Sequence, residues 1–216
     1  MHIFLDMDGT VCESRQDISE EMFERLLELK KKHDIVVISG AEKERMLKQL
    51  KGLPVYIMAQ SGNETKIWNN KLSEEEIAEI YRHADRIRHI EPDMLDNRGC
   101  QVALSLTGHH APLEVKQKFD PDGSIRTKIL QDIPFESETL ECRVAGTTCL
   151  DYTSKKGTKG KNIKRIIESF DWIGENCVYF GDKLMKGGND ESVVGVIDTI
   201  AVENPTDLLN KLKEYE

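Results

Sequence analysis

Apolar residues in this chain fall into two patterns. Short unbroken runs occur at Ile3-Phe4-Leu5, Ile35-Val36-Val37-Ile38, Val55 to Ala59 and Val178-Tyr179-Phe180. Runs of this kind, rich in β-branched residues, suit parallel strands covered on both faces. Between them the spacing turns helical. Across 19–32 apolar residues stand at Met22, Leu26, Leu27 and Leu29 among others, with acids early and lysines late, the charge order a helix dipole favours. A second helix is predicted over 42–50. The strand-helix-strand-helix-strand order predicts a doubly wound α/β sheet. A turn at Ser61-Gly62-Asn63 and a hairpin over 65–69 and 71–72 follow.

The middle of the chain changes pattern. A helix is predicted over 73–90, with Ser73 as its cap and Glu76 three residues on. Strands are predicted at 102–106, 140–144 and 148–152. The first two flank a helical region that begins near Pro112 and is broken by Asp120-Pro121-Asp122-Gly123. Strands paired around helices without the earlier alternation imply a separate α+β unit, placed at 80–153. It is inserted into a core made of 1–79 and 154–216. The alternation then resumes, with a helix at 160–170, a strand at 177–180, a helix after Gly188, a strand at 195–201 and a last helix at 206–215.

At 216 residues, 38% hydrophobic and 32% charged, the chain suits one sizeable globular core with a smaller insert. A net charge of −9 argues against a nucleic-acid partner, which favours a basic face. No apolar run approaches the roughly 20 residues of a membrane helix, and no signal peptide is visible. Five cysteines without a CxxC spacing read as reduced thiols in a cytoplasmic protein rather than a metal cluster.

Chemistry-bearing residues gather where strands end or helices begin. Asp6-Met7-Asp8-Gly9-Thr10 follows the first strand, and Ser39 follows the second. The lysine-rich turn Lys155 to Gly160 enters a helix. Gly181-Asp182 through Gly187-Gly188-Asn189-Asp190 follows the strand at 177–180. In a doubly wound sheet those ends meet at one edge. Two acids there can bind a cation, attack an electrophile or repel each other. Together the four sites fit phosphoryl transfer. Asp6, Asp8 and Asp182 offer hard oxygen ligands for magnesium, and a carboxylate can attack phosphorus. One lysine and backbone amides can neutralise the meeting of two anions. Ser39 can donate to a phosphoryl oxygen, and a second carboxylate two residues from the first can protonate the leaving oxygen.

These residues resemble the haloacid dehalogenase-like superfamily of aspartate-nucleophile phosphotransferases along nearly the whole chain. Asp6 to Thr10 is similar to its first motif and Ser39 to its second. Lys159 is similar to the third, and Gly181-Asp182 with Asn189-Asp190 to the fourth. The resemblance implies Asp6 as nucleophile and Asp8 as general acid/base. It implies a magnesium ion on Asp6, Asp182 and the Asp8 backbone carbonyl. Lys159 would hold the phosphate and Asp6 together, Ser39 and Gly40 would meet the phosphate, and Asn189 and Asp190 would support the site. The insert resembles the α+β cap of the subgroup containing sugar-phosphate phosphatases and eukaryotic-type phosphomannomutases, over a Rossmann-like core.

Within that subgroup the stretch 181–190 is most similar to the phosphomannomutases. By the same resemblance Arg98 and Asp151 would contact the substrate. His109 and Lys116 stand where the mutases carry two further phosphate-binding arginines, and Cys149 where they carry a serine. A bidentate arginine fork holds a second phosphate far better than a histidine or an ammonium. The expectation is therefore a magnesium-dependent phosphatase of a small phosphorylated metabolite, a sugar phosphate being the expected class, with a phosphohexomutase as the alternative. Monomer and homodimer both remain open. Adjacent strand residues point to opposite faces, so His109 and His110 read as cap mouth or surface rather than a metal pair. Trp68 and Trp172 read as packing.

Overall fold

The computed structural model describes the backbone of residues 1–216 and every side chain except that of Leu113. It divides into two units. The first comprises Met1–Asn69, Gly157–Lys186 and Asp190–Glu216; the second comprises Asn70–Lys156 and Gly187–Asn189.

The first unit is built on a five-stranded sheet in the order β3-β2-β1-β8-β9. Its strands are β1 (His2–Asp6), β2 (Asp34–Ile38), β3 (Tyr56–Met58), β8 (Cys177–Gly181) and β9 (Asp198–Ala201), and every pairing is parallel. Alternation along β1 separates two cores. Ile3 and Leu5 join Val37 and Ile57 beneath α1 (Glu20–Leu29), α2 (Lys43–Gln49) and α7 (Pro205–Lys211). Phe4 joins Val36, Met58 and Tyr179 beneath α6 (Lys159–Ser169), which contributes Ile163 and Ile166. Helix α1 starts where Ser19 accepts the Met22 amide and buries Met22, Leu26 and Leu29, while Leu27 is exposed. The strand order reverses between β1 and β8, so the crevice at their carboxyl ends is the expected ligand position.

The second unit carries an antiparallel sheet in the order β4-β5-β7-β6. Its strands are β4 (Leu95–Asn97), β5 (Gln101–Ser105), β6 (Leu140–Ala145) and β7 (Cys149–Ser154). Val102, Leu104, Leu150 and Tyr152 face a core completed by α3 (Glu74–Ile87), which adds Ile80 and Ala84, and by Phe119 of α4 (Leu113–Phe119) and Ile129 of α5 (Ser124–Asp132). The opposite face presents a register row, Asp96, Ala103, Asp151 and Arg143.

Several expectations are corrected. Helix α3 lies wholly in the second unit, which begins at Asn70 rather than 80, because the apolar face of the helix packs on the antiparallel sheet. The expected hairpin over 65–72 is a turn around Thr65, whose Oγ1 accepts the amides of Ile67 and Trp68. The helix expected after Gly188 is one short turn, Glu191–Val193. Strand β4 is too short and too polar to stand out in the sequence. His109 and His110 lie in a turn, not on a strand; the His109 ring meets the Ala103 carbonyl and the His110 ring meets Asp93. Trp68 is core, with its indole N–H on the Gly62 carbonyl, and Trp172 stacks on His2.

Candidate active site

Asp6 is the last residue of β1, and its side chain is buried at the sheet's carboxyl edge. Lys159 opens α6, where Thr158 caps the helix by accepting the Lys161 amide. A cation at a helix N-terminus sits against the macrodipole, so helix stability does not account for it. The acids do. Lys159 Nζ donates to Asp6 Oδ1 at 2.5 Å and to Asp190 Oδ1 at 2.7 Å. Tyr179 Oη donates to the same Asp190 oxygen at 2.7 Å, and the Lys183 amide reaches Asp190 Oδ2. Gly181 makes room for this: a Cβ there would stand 2.5 Å from Asp190 Oδ2. Asp6 Oδ2 has no hydrogen-bond partner among the described residues.

The charges follow from burial and proximity. Burial, with Asp190 and Asp182 close by, pushes Asp6 up to about 7 although Lys159 opposes it. Burial also works to raise Asp190, but the Lys159 ammonium, the Tyr179 hydroxyl and the Lys183 amide hold it below the usual carboxylate range. Burial would lower Lys159, yet Asp190 and Asp6 hold it above its ordinary value.

Oxygens of Asp6, Asp182 and Asp190 lie within 4.8 Å of one another. Asp182 Oδ2 pairs with Lys183 Nζ at 2.9 Å, while Oδ1 is buried without a hydrogen-bond partner. Ser39, at the end of β2, is buried and accepts the Ala41 amide on Oγ at 3.1 Å, with Gly40 between them. The Asp8 side chain stands outside the acid cluster. Both its oxygens lie 2.8 Å from Arg45 Nη2. The sequence reading missed Arg45 and Tyr179. Arg45 looked like one more polar position on α2, and Tyr179 is hidden in an apolar run. Asn189 Oδ1, like Asp182 Oδ1, is buried without a partner.

In the second unit the expected substrate residues do gather. Arg98 is largely buried with Nε on Asp96 Oδ2 at 2.7 Å. Burial would lower the Arg98 guanidinium, but Asp151 and Asp96 hold it above its ordinary value. Burial raises Asp151, with Arg98 and His109 opposing. Cys149 is close enough to Arg98 to share its field. The His109 ring is 3.2 Å from the Ala103 carbonyl, and Lys116 Nζ donates to the His109 carbonyl at 2.5 Å. A buried pair the sequence did not reveal, Arg126 with Asp120, fixes the turn before Cys149. Arg126 Nη1 donates to the carbonyls of Ala145, Gly146 and Cys149.

A profile described as haloacid dehalogenase-like hydrolase matches residues 3–105. A probable phosphomannomutase of Caenorhabditis elegans is 23% identical over 250 residues, spanning 99% of this chain and 96% of that protein. The phosphomannomutase of Encephalitozoon cuniculi is 25% identical over 239 residues, spanning 98% and 92%. Among solved structures, a phosphatase of the haloalkanoate superfamily from Bacteroides thetaiotaomicron superposes with a TM-score of 0.70 at 13% identity, covering 99% of this chain and 94% of that one. The chain is thus similar to haloacid dehalogenase-like hydrolases over residues 3–105 and to phosphomannomutases along nearly its whole length.

These similarities bear on what the acid cluster could do chemically. The donor set suits a hard divalent cation: three carboxylates, one with an unpartnered buried oxygen and one raised by burial and, after that, by its acidic neighbours.

Proposed function

We propose that this chain is a magnesium-dependent phosphatase that hydrolyses a small phosphorylated metabolite, a sugar phosphate, through an aspartyl-phosphate on Asp6. The observation that carries the reading is the state of Asp6. One oxygen is held by Lys159, the other is unpartnered, and Asp182 with its unpartnered oxygen is adjacent. A buried carboxylate so held is oriented for attack.

Asp6 Oδ2 attacks phosphorus and the bond to the leaving oxygen breaks, with Asp8 delivering a proton to that oxygen. Water then attacks phosphorus, Asp8 takes its proton, and the bond to Asp6 breaks to release phosphate. Lys159 holds Asp6 and a phosphoryl oxygen together, and Ser39 and the Gly40 amide meet further phosphoryl oxygens. Asp6, Asp182 and the Asp8 carbonyl would hold magnesium, which would supply positive charge to the phosphoryl group when bound. Asn189 and Asp190 support the acids. In the second unit Arg98, Asp151, Cys149, His109 and Lys116 form the substrate-recognition surface. None of the five cysteines is in a disulfide among the described residues, which suits a cytoplasmic enzyme.

Hydrolysis is preferred over isomerisation because of His109 and Lys116. A mutase must grip a second phosphate, and here both residues engage backbone carbonyls. The near full-length match to phosphomannomutases favours the second reading, a phosphohexomutase. The test is phosphate release across hexose, pentose and polyol phosphates with magnesium, beside a coupled assay for mannose 1-phosphate to 6-phosphate conversion with a bisphosphate activator. Rapid release without interconversion supports the phosphatase. Interconversion without net release transfers the assignment to the mutase.

A further inference from the structure

Asp8 is braced through a chain of contacts that begins two elements away. Arg45 Nη2 donates to both of its oxygens at 2.8 Å, and the Arg15 amide donates to Oδ1 at 2.8 Å. Arg45 is itself held, with Nε on Gln49 Oε1 at 2.6 Å. Gln49 is buried and donates through Nε2 to the Gln16 carbonyl at 2.7 Å. The sequence Gln16 carbonyl, Gln49, Arg45, Asp8 ties α2 to the loop that follows β1. An ordinary exposed ion pair contributes little and needs no such brace. Here a buried polar side chain on the core face of α2 is committed to aiming the guanidinium.

We propose that Arg45 is the positioning residue for Asp8. It parks the carboxylate outside the acid cluster between turnovers, and Asp8 acts only once it leaves the guanidinium. This rests on the reading of Asp8 as general acid/base. A general base must lie within hydrogen-bond reach of the proton it takes. A carboxylate whose oxygens are engaged by Arg45 and the Arg15 amide is aimed at neither a leaving oxygen nor a water. The two half-reactions feel this differently. A leaving group that departs as a stable anion needs no proton, so Asp6 can be phosphorylated by an aryl phosphate while Asp8 is parked. Water attack on the aspartyl-phosphate needs the base and waits for release.

The experiment is rapid mixing of magnesium-loaded protein with 4-nitrophenyl phosphate, reading nitrophenolate and phosphate together. Wild type is expected to show a nitrophenolate burst followed by slow steady release. Arg45→Gln is expected to lose the burst and to raise the steady rate roughly tenfold, equivalent to about 1.4 kcal/mol on the barrier. Arg45→Lys, which keeps a cation in reach, is expected to restore the burst. Thermal unfolding of each variant identifies a folding defect, which lowers burst and steady rate together and overturns the proposal. So does Arg45→Gln with wild-type kinetics, or a wild type that turns over steadily without a burst, in which case the phosphatase reading stands. A wild type that releases phosphate from no ester overturns that reading and this inference with it.

Discussion

Lys159 Nζ and Asp6 Oδ1, 153 positions apart in the chain, lie 2.5 Å from each other. The same ammonium is 2.7 Å from Asp190. One buried cation therefore holds two buried acids, and its removal leaves both uncompensated. Lys159→Met should cost about 3–5 kcal/mol of folding stability, the usual result of breaking a buried ion pair from one side. Adding Asp190→Asn should recover part of that loss. Phosphate release should fall by about 10²–10³-fold or more, the scale for losing one preorganised charge-stabilising donor. Urea unfolding and phosphate release measure the two effects; a stable, fully active Lys159→Met protein would contradict the assignment.

Asp6 gives the metal-free protein a pH signature. Its folded-state value is raised from 3.8 to about 7, chiefly by burial. Between those values the folded chain holds a proton that the unfolded chain has released, so stability falls as pH rises from about 4 to about 7 and then levels. Asp190, held below the usual range, titrates beneath this window. His83, lowered mainly by burial, acts with opposite sign, losing stability as pH falls below about 6.5. Its contribution is common to wild type and Asp6→Asn and cancels between them. Thermal unfolding with chelator should show wild type losing stability relative to Asp6→Asn between pH 5 and 7. Magnesium should raise the wild-type transition at pH 7.5 more than that of Asp6→Asn. Parallel pH curves for the two proteins would remove Asp6 as the titrating group.

Gly9 is where the first and fourth motifs touch. Its φ is +91°, and a Cβ there would stand 2.7 Å from Asp182 Oδ2. Gly9→Ala should destabilise the fold by about 1–2 kcal/mol through its left-handed backbone. It should also displace the Asp182 carboxylate and weaken magnesium binding, read by titration calorimetry. Gly52, with φ +72° and nothing near its Cβ position, is the control: Gly52→Ala should destabilise similarly and leave the metal affinity unchanged.

How much of this was legible depended on whether a signal was local. The α/β core was, because covered parallel strands carry dense apolar runs and helices carry their caps in sequence. Ser73 with Glu76 forms the capping box that its spacing predicts. The places of Asp6 and Asp182 at strand ends were legible because Asp6 follows such a run directly and Asp182 follows one across Gly181. Arg45 was not, because its partner lies in another element and α2 shows an arginine at an ordinary helical position. Strand β4, three residues including two polar ones, takes its strand character from pairing with β5. The short turn at 191–193 read as a full helix because glycines and an acid before apolar residues look alike in both.

Arg98 sits at the turn from β4 to β5, its Nε on Asp96, in electrostatic contact with the half-buried Asp151. A charge-assisted hydrogen bond to a ligand is worth about 1.5–3 kcal/mol, so its loss shifts affinity by roughly 10–100-fold. Arg98→Ala should therefore raise KM for phosphate esters that carry a second, distal anion by that factor. KM for a bare aryl phosphate should change little, since that substrate has nothing for Arg98 to hold. The variant also leaves the half-buried Asp151 without its cation, so a general structural effect has to be separated from a binding one. Arg98→Ala with Asp151→Asn does this: the pair should regain thermal stability over Arg98→Ala alone, while the KM for the distal-anion substrate stays high. If the double variant restores KM as well, Arg98 is a structural partner of Asp151 and not a substrate contact.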